Sequence, residues 1–494
     1  MRAAVRRWAA LATLILLVIF ILVLGKSVLL RPTPGAYILP PGYTDDISRL
    51  NATHVAEIWD IPADPAAAEE QLRQLLVRAQ AERLPVAIAG ARHSMGGHTI
   101  APEGIVINML PFRHMTVDEA EMRLRVGAGA RWSEVVPRLD ARGLSVAVMQ
   151  SNNDFTVGGS LSVNCHGWEH HRPPIASTVE SFRLMKADGT IVRCSRDENA
   201  ELFTLVLGGY GLFGIILDAD LRLVANERYR LQGVTFPAER LHASFTEQVQ
   251  NPGDVDMVYG RLCAAPGAAT FLREGYWMIF RRAPCPPAEI PSLEGAGLFK
   301  HFWDVHAAHA DNAANALTSW EAEKTASREL SGKFFSRNQL FNEPASAFGQ
   351  QRGDLTYILQ EYFLPPDQFP LFLEALRGII PRHQGMLLGT VVRKVSPDQG
   401  TLLRYADQDM FTLALMFLQP RTAEGDAAMQ AMTREMIDAV LDCRGRFYLP
   451  YRLHATKDQL DRAYPQFRAW LEQKRRHDPA AVFQNRFFLQ YRGP

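Results

Sequence analysis

Apolar side chains run almost unbroken from Trp8 to Gly25, WAALATLILLVIFILVLG, with Thr13 as the only polar aliphatic side chain. In hydrocarbon such a run must be helical, because no water is present to satisfy its backbone groups. At about 1.5 Å per residue it reaches roughly 27 Å, close to the lower limit for a bilayer core of about 30 Å. Arg2, Arg6 and Arg7 precede it and Lys26 and Arg31 follow, a slight charge bias towards an N-in orientation. A cleaved signal peptide is the competing reading, since those arginines form a basic leader, but no good small-residue cleavage site follows. The expectation is a single-pass anchor over 1–27 that makes the bilayer a partner and leaves the side of the soluble body open. Four prolines in KSVLLRPTPGAYILPPG then disfavour regular structure and suggest a linker over 28–49.

Beyond residue 50 the periodicity changes. Asp64 precedes PAAAEEQLRQLLVRAQAERL, apolar at helical spacing, and Pro85 opens the strand-like run VAIAGA. RLRVGAGA alternates before the helical WSEVVPRLDARGL, and SFRLMKADGTIVRC sets Asp188 and Gly189 between two alternating runs as a hairpin turn. Strands and helices mix without a repeating βαβ rhythm, so the class expected is α+β. Residues 50–228 are dense in glycine motifs. Residues 229–450 read as alternating strands and amphipathic helices, with a domain boundary near Asn226. In 451–494, a helix stops at Asp478-Pro479 and an aromatic segment follows that should pack back on the larger body.

At 494 residues, 47% apolar and 21% charged, the chain has the composition of a globular protein of two or three folding units. Lysine plus arginine and aspartate plus glutamate stand at 53 each, so no field draws in a polyanion and nucleic acid is not an expected partner. Cys165, Cys194, Cys263, Cys285 and Cys443 are widely spaced, without a C-x-x-C pair, and read as mostly free or buried thiols.

Gly209-x-Gly211-x-x-Gly214 has the spacing of a Rossmann fingerprint, but its context is inverted. The fingerprint needs a strand before and a helix after, so that helix N–H groups meet a pyrophosphate. Here the helical ENAELFTLVL precedes and the strand-like IILDADLRL follows. Two other small-residue loops, Gly90 to His98 and Thr156 to Gly167, can expose successive backbone N–H groups and form concave anion sites. Taken alone they indicate either a phosphate-bearing cofactor or plain tight turns. His166 and His170 lie four apart, but Gly167 and Pro173-Pro174 oppose the helix that would align them, so no metal site is expected.

Taken in order, PVAIAGARHSMGGH, GIVINML, VGAGARWSEV, TVGGSLSVNCHG and GGYGLFGIILDADLRL resemble the FAD-binding domain of the vanillyl-alcohol-oxidase / p-cresol-methylhydroxylase (PCMH) superfamily. AYPQFRAWLEQKRRHDPAAVFQNRFF is similar to the closing segment of its sugar oxidases, such as alditol, gulonolactone and decaprenylphosphoryl-ribose oxidases. The resemblance implies a two-subdomain PCMH-type FAD domain plus a cap domain with an antiparallel sheet flanked by helices. It implies FAD cradled at its diphosphate by Gly90, Ala91, Arg92, His93, Ser94, Met95, Gly96 and Gly97. Thr156, Gly158, Gly159, Ser160, Ser162, Asn164, His166 and Gly167 would line pyrophosphate and isoalloxazine, with Gly214, Ile215 and Ile216 near the adenine end. His93 stands where several members bond the flavin covalently; a histidine hydrogen-bonded to phosphate is the alternative.

Such chemistry moves hydride to the flavin and needs a group to receive the hydroxyl proton and a cation near the flavin. Glu361 in ILQEYFLP, a carboxylate amid apolar neighbours, and Arg393 in GTVVRKVS are similar to the family's acidic and cationic site residues. A buried structural ion pair and a surface pair are their alternatives. Tyr451 falls where the sugar oxidases carry a lysine; a neutral phenol cannot supply that charge, so Arg452, Lys457 or His454 substitutes or the substrate differs. The resemblance implies oxidation of an alcohol, polyol, aldonolactone or lipid-linked sugar, with oxygen, a quinone or a protein as electron acceptor. A membrane-anchored flavin-fold binding or scaffold protein is the alternative.

Overall fold

The computed structural model describes residues 37–293, 313–345, 353–383 and 386–493. The expected anchor, Trp8–Gly25, lies outside the described residues. Among those described, no helix is long and apolar enough to cross a membrane.

A small parallel sheet sets Ile105–Asn108 between Glu57–Asp60 and Val86–Ala89. The helix Pro65–Glu82 makes the crossover between the two outer strands, Glu57–Asp60 and Val86–Ala89, which run parallel on either side of Ile105–Asn108. It starts where it does because the Asp64 carboxylate accepts the Ala67 N–H at 2.9 Å and Pro65 occupies the first turn, where no N–H is needed. Its buried face is Ala68, Leu72, Leu75, Leu76 and Ala79. Residues 482–484 extend this sheet from the far end of the sequence. Val86 N–H donates to Val482 at 2.7 Å, and Gln484 N–H donates to Val86 at 3.0 Å.

The second sheet is antiparallel, in the order Ile191–Ser195, Val179–Met185, Ile215–Ala225, Arg123–Gly127, Met115–Asp118, with Leu144–Val146 joining the end of Ile215–Ala225. The Asp188-Gly189 turn closes its first hairpin, with Gly189 at φ +78°. A third sheet of eight strands runs Phe334–Ser336, Arg228–Pro237, Glu274–Arg282, Val255–Leu262, Met386–Val395, Met410–Pro420, Leu355–Leu364, Arg446–Phe447. Its two halves meet at one register pair, Gly260 with Val392. The Thr390 hydroxyl spans the seam, accepting from Leu262 N–H at 2.7 Å and donating to its carbonyl at 2.8 Å. Helices Phe369–Arg382 and Ala423–Asp442 pack together beside this sheet.

Arg337 joins the second and third sheets. Fully buried, its guanidinium donates to the carbonyls of Val146 at 3.1 Å and Ala147 at 2.7 Å and to the Tyr229 hydroxyl at 3.2 Å. It also lies 3.3 Å from the Glu169 carboxylate and 3.7 Å from that of Asp256.

The linker expected over 28–49 is not a spacer throughout. Tyr43–Thr44 pairs with Thr53–His54, and Asp45, Asp46 and Ser48 are buried. Asp46 accepts the Gly97 N–H at 2.8 Å and the Asn51 amide at 2.7 Å. Burial pushes its carboxyl up to about 6 against those bonds. Tyr37, ahead of Pro40 and Pro41, already packs, with the Arg421 guanidinium 4.4 Å from its ring, so the packed segment overlaps prolines that composition reads as a spacer. The five cysteines are free, and all but Cys285 are buried.

Candidate functional site

One cavity lies between the glycine turns that follow the first two sheets' strands and one face of the eight-stranded sheet. Strand alternation selects the sheet's contribution: Leu359 and Glu361, Val391 and Arg393, Ala414 and Met416, each pair two residues apart. Register sets Glu361 opposite Ala414, and Ala414 opposite Val391. Tyr448, Pro450 and Tyr451 close one side, and Trp168, Tyr259, Phe280 and Phe335 wall another part.

The turn from Gly90 follows the strand Val86–Ala89 and passes close under Thr156. A Cβ on Gly90 would stand 2.1 Å from Thr156 Oγ1, and one on Gly158 would stand 2.7 Å from Ala128 Cβ. Thr156 has its own task, capping Val157–Ser162 by accepting Gly159 N–H at 3.3 Å. Only small residues let these turns form the wall. Arg92 Nε, Ser94 Oγ and Thr99 Oγ1 are buried in this wall without a partner among the described residues. Buried polar atoms in folded proteins are almost always satisfied. Orphans at a narrow glycine-built wall fit a ligand rich in acceptors, such as a diphosphate.

His93 stacks on Phe155, ring centroids 4.3 Å apart at 19°. Burial brings its imidazole down to about 4, against the opposing pull of Asp154, so it is neutral near pH 7.

Glu361, 3% exposed, is the centre of the charge cluster. Its Oε1 lies 3.2 Å from His166 Nε2, accepts the Thr412 hydroxyl at 3.0 Å and stands 3.8 Å from Arg393. Its Oε2 has the Tyr451 hydroxyl at 3.5 Å. Burial pushes this carboxyl up, but His166, Arg393 and Thr412 together bring it down to about 2. Arg393 also donates to the Ser151 hydroxyl at 2.9 Å. Burial, reinforced by Glu361, raises the Tyr451 phenol well above its usual range despite Arg393. The cluster therefore holds one carboxylate, one guanidinium, one imidazole and one neutral phenol.

Residues 65–195 match the family model described as FAD binding domain, and residues 282–491 match the one described as D-arabinono-1,4-lactone oxidase. Both halves of the chain thus match domains of the FAD-linked oxidase superfamily. Its cofactor is FAD. An uncharacterised oxidoreductase of the fasciation locus of Rhodococcoides fascians is 33% identical over 177 residues, 35% of this chain and 39% of that one. Mouse (Mus musculus) L-gulonolactone oxidase is 30% identical over 34% of this chain and 38% of its own length. Cytokinin dehydrogenase 2 of Arabidopsis thaliana is 34% identical over 28% of each. The chain thus spans well under half the length of these curated relatives.

In this chain, Gly90, Ala91, Arg92, His93, Ser94, Met95, Thr156, Gly158, Gly159, Ser162, His166, Gly214 and Ile216 line the cavity together with Glu361, Arg393 and Tyr451. Gly96, Gly97, Ser160, Asn164, Gly167 and Ile215 do not line it; they stand behind the wall. Gly97 is held by Asp46, with Gly96 tight against the Tyr451 carbonyl; Ser160 donates to Gln150 at 2.7 Å; Asn164 donates to Asp398 at 2.9 Å. Gly167 leaves no room beside the Met149 carbonyl, where a Cβ would come to 2.1 Å, and Ile215 pairs with Met185 in the sheet. His166 and His170 serve different partners, Glu361 and, at 2.9 Å, the Val255 carbonyl. Phe155, Ser151, Thr412 and Tyr448 were not marked by the sequence. Ser151 in QSNND and Phe155 beside Thr156 belong to a polar loop next to a recognised motif, the one available signal.

The Gly90 approach gives a direct expectation. Gly90→Ala should lose bound flavin while the apoprotein keeps native secondary structure, checked by the ratio of visible to ultraviolet absorbance and by circular dichroism. Full retention of the yellow colour would show that this turn does not set the cofactor wall.

Proposed function

We propose that the protein is an FAD-dependent oxidoreductase that oxidises a CH–OH group of a small hydroxyl compound, held at a membrane by its N-terminal apolar segment. The observation that carries this is the convergence, in one cavity, of the glycine turns with a buried carboxylate, guanidinium and phenol from the facing sheet and the C-terminal segment. FAD, when bound, supplies the hydride acceptor. The chain's part is to bind and orient. The turn from Gly90 to Met95 and the residues Thr156 to Ser162 hold the cofactor, Arg393 contributes positive charge, and Glu361 accepts the substrate hydroxyl. Tyr451 donates in the place where a charged lysine would act in the sugar oxidases.

The rings of Trp168, Tyr259, Phe280 and Phe335 support a substrate whose carbon frame packs on aromatic faces beyond the hydroxyl. Trp168 and Tyr259 lie 4.6 Å apart. Among the alcohol, polyol, aldonolactone and lipid-linked sugar classes, those presenting an apolar ring or chain face suit this wall best. The electrons pass on to oxygen, a quinone or a protein acceptor. His93, neutral and facing the cavity, supports a covalent link to the flavin.

Two measurements on the purified full-length protein test this. Under anaerobic conditions, one or more of a panel containing L-gulono-1,4-lactone, sorbitol, geraniol and benzyl alcohol should bleach the flavin band near 450 nm, the usual region for an oxidised flavin. A yellow protein that no alcohol bleaches would instead be a flavin-holding binding protein. After acid precipitation, colour should stay in the pellet for the wild type and pass to the supernatant for His93→Ala; a colourless wild-type pellet means the cofactor is noncovalent.

A further inference from the structure

The two oxygens of Glu361 have unequal surroundings. Oε1 is crowded from three sides: His166 Nε2 at 3.2 Å, the Thr412 hydroxyl at 3.0 Å and Arg393 at 3.8 Å. Among the described residues, Oε2 has one long polar contact, Tyr451 at 3.5 Å. One oxygen is anchored and the other is presented. Of the three anchors, Thr412 and Arg393 belong to strands of the same sheet as Glu361, whereas His166 reaches it from the FAD-domain segment that follows Val157–Ser162.

His166 is itself fixed. It is 5% exposed, and its ring is enclosed by Phe363 at 5.5 Å, Tyr405 at 5.8 Å and Tyr448 at 5.9 Å. Tyr405 and Tyr448 then tie down the backbone just before it: Tyr405 donates to the Asn164 carbonyl at 2.6 Å and Tyr448 to that of Val163 at 2.9 Å. Phe363, two residues beyond Glu361 on the same strand, shares its face of the sheet. The imidazole is thus clamped by the sheet it serves and by the segment that carries it.

We propose that His166 is a positioning residue, holding Oε1 of Glu361 from the cofactor side so that the carboxylate stays ionised and turns Oε2 to the substrate hydroxyl. This rests on the oxidoreductase function proposed above. As the substrate carbon gives its hydride to FAD, the O–H bond breaks, its electron pair forms the carbonyl and its proton passes to Oε2. A hydroxyl on a carbon losing hydride becomes strongly acidic, so a carboxylate of low basicity is a sufficient acceptor. The charged and titratable groups facing this oxygen pair are His166 from the FAD domain, Arg393 from the neighbouring strand and Tyr451 from the C-terminal segment.

The test compares wild type, His166→Leu, His166→Gln, His166→Asn and Glu361→Gln as flavin-loaded full-length proteins. Infrared difference spectra between pH 3 and pH 8 follow the protonated-carboxyl band, to which Glu361 adds little in wild type, and the Glu361 part in each histidine variant is the part that adding Glu361→Gln to it abolishes. Loss of a close stabilising partner moves a carboxylate by roughly 1–3 pH units. His166→Leu should raise the Glu361 titration by that amount, and His166→Gln, which keeps an N–H donor, should restore part of it. An unchanged titration in His166→Leu, with flavin still bound, overturns the proposal. If His166→Leu loses its flavin, His166→Asn, a polar side chain too short to hold Oε1, carries the comparison, and its coincidence with wild type together with an unshifted acid limb for any alcohol that bleaches the flavin also overturns it. Should the infrared shift appear while no alcohol bleaches the wild type, His166 still positions the carboxylate and the oxidoreductase function alone fails.

Discussion

Glu361→Gln should retain its flavin but reduce it with the productive alcohol about 10²–10⁴ times more slowly than wild type, the usual contribution of a positioned proton-transfer group. The substitution keeps the volume of the side chain and its ability to accept from His166 and Thr412 through the amide oxygen. It removes the negative charge proposed to receive the hydroxyl proton and leaves Arg393 without its facing carboxylate. Stopped-flow absorbance of flavin reduction separates this loss from any change in the reoxidation step. A rate within threefold of wild type would assign Glu361 to structure. Because the carboxyl is held down to about 2, the wild-type enzyme should show no acid limb from Glu361 between pH 5 and 8, where it stays ionised throughout.

Arg337→Met should destabilise the protein by about 3–5 kcal/mol, the range for removing one partner of a buried ion pair. The methionine replaces the guanidinium's packing volume but none of its bonds. The carbonyls of Val146 and Ala147 lose the guanidinium's bonds, the Glu169 carboxylate, 4% exposed, loses its neighbouring guanidinium, and Asp256, 9% exposed, is left with Arg282 at 3.9 Å. Urea unfolding followed by tryptophan fluorescence measures the loss. In the double variant with Glu169→Gln the cost should be less than the sum of the singles, since the two side chains share one interaction. Strict additivity would mean that Arg337 stabilises the fold without coupling to Glu169.

Local features were legible in the sequence wherever neighbours along the chain determine them. Asp64 and Pro65 begin a helix by their own bonds and φ, and Asp188-Gly189 reverses a hairpin because Gly189 takes the left-handed conformation its turn requires. The inverted order around Gly209, Gly211 and Gly214 is visible as helix, turn, strand, and Gly211 and Gly214 do border the cavity. Glycine identity alone did not tell a residue that admits a ligand from one that admits the protein's own backbone. Gly90 and Gly167 look alike in their motifs, yet Gly167 makes room for the Met149 carbonyl on the far side of the wall. Contacts across long separations carried no sequence signal. Asp46 braces Gly97 from 51 residues away, and Arg337 reaches Ala147 across 190. Neither belongs to a periodic run or motif.

The backbone strip at 482–485 also bears on how the protein matures. It hydrogen-bonds along Val86, and the Asn485 amide donates to the carbonyls of His98 and Tyr210 at 3.0 Å each, bracing two of the turns at the cavity. The ribosome makes those turns hundreds of residues before it makes their brace. Flavin loading into a finished wall is therefore an event that follows synthesis of this strip, and a nascent polypeptide halted short of it carries the glycine motifs without the scaffold that steadies them.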